Sequence, residues 1–378
     1  MAAPATAALK RPRGDGEPAS PAAASAPNIE FLSRESHATA LIRECAFSVD
    51  GAAFAMASED CHVHVYDPSR GIRPKADAKT ASPVGAFSLP ELGCNHVVFL
   101  GSHNNRLVVT PSNARACCVV CLDASTGAVA GAYHVPGDSS AAVDRALTAL
   151  EPCGDRGRDV FAVARADANV YFYDASVARP IAHFDVAGGR ELVGRPALAW
   201  SARDDGRLLA VSDEGYLRLY DWRKLRKDGP VSVFDDPTGD RIVGMHFHPI
   251  HPDDQLLITS ADYSLTELSV KQGAATTLTS PDHDPLGYSL VVAERAMSHL
   301  ADKRQLPCVA RYSPDGALAA VGTVTQKVCF FDVGAGSRRR LTAFARPLYE
   351  GLLATVAWSP REKVLAACHR DVFWYGVT

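Results

Sequence analysis

The sequence has no uninterrupted apolar run long enough to span a bilayer, and no charged-then-apolar leader opens it. Both absences predict a soluble protein with no membrane contact. It has no excess of basic charge: 39 Lys and Arg stand against 43 Asp and Glu, a formal net charge of −4. General phosphate binding is therefore not favoured, and no direct sequence-specific nucleic-acid contact is expected. Enzyme signatures are missing too: no Gly-x-Ser-x-Gly elbow, no Gly-rich loop ending in Gly-Lys-Ser/Thr, no His-Glu-x-x-His. Catalytic groups drawn from scattered loops leave no linear motif, so this lowers the prospect of catalysis without eliminating it. The expectation is a non-enzyme with no cofactor and no small-molecule substrate.

Metal-ligating patterns are equally thin. The ten cysteines are scattered singly except for Cys117, Cys118 and Cys121. Cys118-x-x-Cys121 has a redox or zinc spacing, but Cys117-Cys118-Val119-Val120-Cys121 reads as a buried strand. Residues three apart on a strand face opposite sides and do not chelate one ion. His246-x-His248-x-x-His251 lacks a completing carboxylate or cysteine, and Pro249 and Pro252 place a turn there. No metal is expected at either place.

What is present is a repeat. Pro196 to Val233 reads as three short strands: Pro-Ala-Leu-Ala-Trp-Ser, then Leu208 to Ser212, then Leu217 to Asp221. In the third, Leu217, Leu219 and Asp221 share one face, and Tyr216, Arg218 and Tyr220 the other. The same grammar runs from Ser48-Val49-Asp50-Gly51 to Tyr66-Asp67, and from Ser313-Pro314-Asp315-Gly316 to Phe331-Asp332. From Ser to closing Asp the intervals are 67 − 48 = 19, 221 − 201 = 20 and 332 − 313 = 19 residues. Weaker copies end at Asp123, Asp174, Leu268 and Tyr375, most of them about 40 to 55 residues apart, which makes seven units. The last unit is incomplete, and Asn28 to Ser33 is strand-like with no unit of its own. An unpaired edge would expose a row of backbone donors and acceptors. The prediction is an all-β, closed, seven-bladed β-propeller over residues 28–378, its N-terminal strand completing the last blade.

Outside the ring, residues 1–27 are Ala/Pro-rich and read as a disordered tail. Within it, Lys10-Arg11-Pro12-Arg13 is either a nuclear-import patch or a solvated basic stretch. A loop insertion is expected at about 271–305, with a short helix over Ser289 to Gln305. Arg338-Arg339-Arg340 reads as a solvated loop, or as a pocket for an acidic motif.

The turns between second and third strands carry Glu59-Asp60, Asp167, Asp213-Glu214 and Asp262. On a propeller they gather on one face beside the channel mouth. Asp in a tight turn bonds its own backbone, which accounts for one acid per turn. The added Glu59 and Glu214 would make a negative rim suited to a basic segment. The residues expected on a protein-binding surface are Asp60, Asp213, Glu214, Tyr216, Asp262, Tyr263 and Arg370.

The units resemble degenerate WD repeats, with Tyr-Asp or Phe-Asp where Trp-Asp is typical. Leu219-Tyr220-Asp221, followed by Arg223, Lys227-Asp228-Gly229-Pro230 and Phe234, is similar to the central blade of the small WD-repeat subunit of COMPASS, the histone-lysine methyltransferase complex. Ala367-Cys368 with Phe373-Trp374 near the chain end matches that family's C-terminus in spacing, and the poor second blade around Val97-Val98-Phe99 agrees. The alanine-rich tail, the long interval before the sixth unit and the weak third repeat depart from it. The resemblance covers about residues 29–378. It implies a nuclear scaffold subunit without catalysis, whose partners are subunits of the methyltransferase complex or of a phosphatase-containing transcription-termination complex.

Overall fold

The computed structural model describes residues 28–36, 40–69, 84–89, 93–101, 105–112, 118–136, 146–153, 159–186, 196–201, 206–213, 215–225, 229–238, 241–251, 255–261, 264–279, 308–322, 328–333 and 355–378. Runs of β-branched and aromatic residues between turn formers become strands, because such side chains fit a pleated surface packed on both faces. Each unit is an antiparallel meander, numbered from the channel outward. The first blade comprises β2 (Ile42–Phe47), β3 (Phe54–Ser58), β4 (His62–Tyr66) and β5 (Gly85–Ser88). The second comprises β6 (His96–Phe99), β7 (Arg106–Thr110), β8 (Cys118–Asp123) and β9 (Val129–His134). The third is β10 (Leu147–Pro152), β11 (Val160–Arg165), β12 (Asn169–Asp174) and β13 (Ala182–Asp185). The fourth is β14 (Leu198–Trp200), β15 (Leu208–Asp213), β16 (Tyr216–Asp221) and β17 (Ser232–Asp235). The fifth is β18 (Ile242–Phe247), β19 (Gln255–Ser260), β20 (Leu265–Ser269) and β21 (Ala274–Thr279). The sixth shows β22 (Arg311–Tyr312), β23 (Leu318–Gly322) and β24 (Val328–Asp332) among the described residues.

The seventh blade closes the ring. Its chain-end strands β25 (Thr355–Trp358), β26 (Val364–Cys368) and β27 (Asp371–Val377) are joined by β1 (Ile29–Ser36), in the order β1-β27-β26-β25. Ile29 lies opposite Val377 and Ser36 opposite Asp371. Asn28 and Thr378 exchange backbone hydrogen bonds at 2.8 Å, and Arg34 donates from Nε to Asp371 Oδ2 at 2.9 Å. The unpaired edge expected of the last unit is thus covered from the other end of the chain.

Packing follows from burial on both faces. Seven apolar clusters fill the seven junctions between neighbouring blades. In β16, Leu217 and Leu219 pack toward the fifth blade while Tyr220 packs toward the third. Cys118 and Cys121 likewise join different clusters, on opposite faces of the second blade. The CxxC spacing is therefore a strand alternation, and burial pushes the Cys121 thiol up to about 11.

Three inner strands carry a bulge at the same place, between Ile42 and Glu44, Leu147 and Ala149, and Ile242 and Gly244. A bulge bends its strand and re-aims the next side chain. Ala274–Thr279 is the outer strand of the fifth blade, so the first part of the expected 271–305 insertion belongs to the propeller. The helix expected at 289–305 lies outside the described residues, as do the N-terminal 1–27 and Arg338-Arg339-Arg340.

The repeated Ser-x-Asp-Gly turns are built alike. In the first blade Ser48 Oγ donates to Asp50 Oδ1 at 2.7 Å and accepts from Ala53 N at 2.9 Å. In the sixth, Ser313 Oγ donates to Asp315 Oδ1 at 2.6 Å and accepts from Leu318 N at 3.0 Å. Gly316 completes that turn at φ +71°, with the His248 ring lying where its Cβ would stand. Gly215 also has positive φ (+84°), but nothing lies within 4 Å of a Cβ there. Backbone strain alone should cost Gly215→Ala about 1 kcal/mol, whereas Gly316→Ala must also displace a packed ring and should lose roughly 2–4 kcal/mol. Urea denaturation of the two variants checks the difference; equal losses would refute the packing argument.

Candidate functional site

Antiparallel meanders place all second-to-third-strand turns on one face of the ring, and the first-to-second turns on the other. Asp60, Tyr216 and Arg370 share the first of these faces. Asp60 holds its own turn: Oδ1 accepts from His62 N at 3.1 Å, and Oδ2 stands 3.8 Å from His64 Nε2. Tyr216 is 38% exposed, with the Arg218 guanidinium 5.3 Å from its ring centre. Arg370 is exposed in the turn between β26 and β27. Asp213 does not join them. It is 8% exposed, and its carboxylate pairs with Arg218. It acts from below, holding the guanidinium that backs Tyr216. Glu214, Asp262 and Tyr263 lie outside the described residues.

Three of the acids named for a negative rim carry counter-charges, while Glu214 and Asp262 lie outside the described residues. Glu59 pairs with Arg43, Asp167 with Arg165, and Asp213 with Arg218. Each of these acids has an arginine of its own, so the described part of the face carries mixed charge around exposed Tyr216. Two of the three arginines, Arg165 and Arg218, flank their turns in the sequence, and a sign-by-sign reading of those turns would have found them.

The third-to-fourth turns on the opposite face use the repeat-closing aspartates. Asp123 accepts from the Ser125 hydroxyl at 2.5 Å and from the Thr126 and Ser125 N–H groups at 2.9 Å, which pulls its pKa down to about 2. Asp174 repeats the arrangement with Ser176, hydroxyl and backbone N–H donating at 2.5 and 2.8 Å. The Asp of each Tyr-Asp or Leu-Asp pair is thus a turn residue, not a contact residue.

The inner strands surround a channel cavity of about 350 Å³. Its lining includes Val49, Pro249, Pro314 and Pro360 from first-to-second turns, so it reaches toward the face away from Tyr216. Inner-strand side chains tie neighbouring blades together around it. Glu44 Oε2 accepts from Val97 N at 3.3 Å and from His96 Nδ1 at 2.9 Å. Thr148 Oγ1 donates to Pro196 O at 3.0 Å, and Trp358 Nε1 donates to Arg311 O at 3.1 Å.

The histidine triplet is absorbed in the same way. His246 Nδ1 accepts from Tyr312 N at 3.2 Å; burial, with Arg311 and His248 nearby, brings its pKa down to about 3 and keeps it neutral. His248 Nδ1 accepts from Ile250 N and His251 N at 3.1 and 3.0 Å, so its proton sits on Nε2 and is donated to Gly316 O at 3.1 Å. Among the described residues no three His, Cys, Asp or Glu side chains converge as a metal would require.

The family model described as WD domain, G-beta repeat, matches residues 30–67. Those residues run from β1 through the closing Asp67 of the first repeat. A sequence repeat is thus offset by one strand from a blade, the same offset by which β1 completes the seventh blade. The fold is a WD-repeat β-propeller. No curated protein matches the chain. Of the residues that carry the finer resemblance, Leu219, Tyr220 and Asp221 are buried in the fourth blade and Ala367, Cys368, Phe373 and Trp374 in the seventh, Arg223, Gly229 and Pro230 are exposed, and Lys227 and Asp228 lie outside the described residues. The buried ones serve the WD-repeat architecture.

Proposed function

We propose that this propeller is a non-catalytic scaffold that binds protein segments through the face bearing Tyr216 and Arg370. The observation that carries the reading is an exposed aromatic backed by a guanidinium on a ring packed at all seven junctions. A rigid aromatic anchor with adjacent charge is the composition of binding hot spots. WD-repeat propellers in general act as protein-interaction platforms. We further propose that the assembly is a nuclear chromatin or transcription complex of the COMPASS kind. The motif resemblance in the fourth and seventh blades supports this, as does the basic Lys10-Arg13 stretch as an import signal.

Affinity purification of the tagged full-length protein from its native cells, with mass spectrometry, tests both levels. A SET-domain methyltransferase with its core subunits, or a phosphatase with termination factors, is the expected recovery. Ribosome-assembly, ubiquitin-ligase or trafficking proteins would remove the nuclear assignment and leave the scaffold. The double variant Tyr216→Ala, Arg370→Glu should lose at least ten-fold of the recovered partner with an unchanged melting temperature. Undiminished recovery would overturn the choice of face.

A further inference from the structure

The outer corner of the fourth blade differs from its counterparts in the first three. Asp235 pairs with the first residue of its blade's third strand, Tyr216, and Val233 stands two residues before it, opposite Arg218. The equivalent of Val233 is Ala86 in the first blade, Ala132 in the second and His183 in the third. The fourth blade alone among these puts a large apolar side chain there, and Val233 is 50% exposed. Val231, just before the strand, is 59% exposed.

β17 is hydrogen-bonded to β16 on one side, and among the described residues no strand pairs with its other side. Asp236 N donates inward to Gly215 O at 3.0 Å. Backbone groups alternate in direction along an antiparallel strand, so those of Val233 and Asp235 point to the open edge. Side chains alternate between faces, and facing residues of a pair share a side. Tyr216, Arg218, Val233 and Asp235 therefore form one surface. Its charges do not cancel. Arg218 is engaged by Asp213, whereas exposed Asp235 has no ion pair and no side-chain hydrogen bond among the described residues. Open edges are ordinarily blunted by lysine, proline or cover. This one carries an exposed valine and an uncompensated carboxylate.

We propose that β17 accepts an extended segment of a partner protein as a fifth, antiparallel strand of the fourth blade, reading Lys/Arg-x-Φ, where Φ is β-branched or aromatic. The basic residue meets Asp235 and Φ meets Val233. Main-chain bonds to the open edge supply affinity, and the alternate side chains supply selectivity. This inference rests on the Tyr216 reading, because Asp235 stands opposite Tyr216, and it names the form in which the partner binds.

The carboxylate decides the sign of the partner. Opposite charges facing each other across a strand pair attract, and like charges repel, so exchanging Lys for Glu in the segment should weaken binding about five-fold. The same charge argues against a second copy of this chain as the occupant. In an antiparallel pair of two β17 strands centred on Val233, Asp235 falls opposite Val231, and its charge stays unmatched.

The test is fluorescence anisotropy of the full-length protein with a labelled, end-blocked Lys-Thr-Ile-Thr peptide and its Glu-Thr-Ile-Thr counterpart. Saturable binding of the Lys peptide, about five-fold tighter than the Glu peptide, is the expected result. Asp235→Lys should reverse that preference. N-methylation of the Ile, whose N–H faces β17, should abolish binding, whereas N-methylation of the first Thr, whose N–H faces away, should leave it intact. The N-methyl pair stands as a test even where Asp235→Lys does not fold. Absence of saturable binding, equal binding of the two charge forms, a preference unmoved by Asp235→Lys, or equal effects of the two N-methyl groups would each overturn the proposal. A wild-type dimer made monomeric by Val233→Lys would assign the edge to a second copy and overturn it too. Affinity purification separates the strand from the face. A partner recovered in full by Asp235→Lys but lost from Tyr216→Ala, Arg370→Glu keeps the face and overturns the strand. A partner lost from Asp235→Lys but recovered by the double variant upholds the strand and removes Tyr216 and Arg370 from the contact.

Discussion

Deletion of residues 1–36 is expected to abolish the soluble folded monomer, whereas deletion of 1–27 should leave its melting temperature unchanged. The first deletion removes β1, and with it the full register from Ile29–Val377 to Ser36–Asp371. Three losses coincide. The backbone edge of β27 becomes open, a template for pairing with another chain. Tyr375 loses the edge contact of Phe31, and Leu32 leaves the junction where the ring closes. Asp371, 6% exposed in the intact ring, loses its ion pair with Arg34. Marginal net stability does not absorb these losses together. Size-exclusion chromatography and thermal melting of the two truncations decide it. A monomeric 37–378 protein melting at the wild-type temperature would show that β1 is dispensable.

Much of this architecture was legible because propeller strands are short, buried on both faces and punctuated by turn residues. Ser48-Val49-Asp50-Gly51 and Ser313-Pro314-Asp315-Gly316 announce one turn, and the hydroxyl–carboxylate–N–H networks explain why both spell it alike. The closure by β1 was legible from a chemical deficit, the unpaired edge of the last unit. The site was harder to read. Glu59 and Asp60 look alike in their turn, but the charge at Glu59 is countered by Arg43, which reaches it only in the folded sheet. Arg43 lies 16 positions before Glu59, with a whole strand between them (59 − 43 = 16). The channel ion pairs were invisible for a stronger reason. Glu44, Glu151 and Arg311 come from the first, third and sixth blades, and only a closed ring brings their side chains together. The available signal was a lone carboxylate within an apolar inner strand, as in Ala149-Leu150-Glu151-Pro152, where burial demands a partner from elsewhere.

Trp374→Ala is expected to destabilise the protein by about 3–5 kcal/mol, lowering the melting temperature by roughly 5–15 °C. Trp374 is 1% exposed, the most voluminous of the fully buried side chains. Its ring meets Phe54 edge-on at 5.1 Å and Phe47 at 6.0 Å, both from the first blade. The contact therefore crosses the junction where the chain's two ends meet, and a cavity there loosens the seventh blade from the first. Its indole N–H has no hydrogen-bond partner among the described residues. Trp374→Phe consequently sacrifices volume and no hydrogen bond, and relieves one buried unpaired donor, so it should cost less than half as much as the alanine variant. The ratio separates aromatic packing from polar anchoring. Guanidinium denaturation of both variants measures it, and equal losses for Phe and Ala would mean that something other than ring contact across the closure holds the seventh blade to the first.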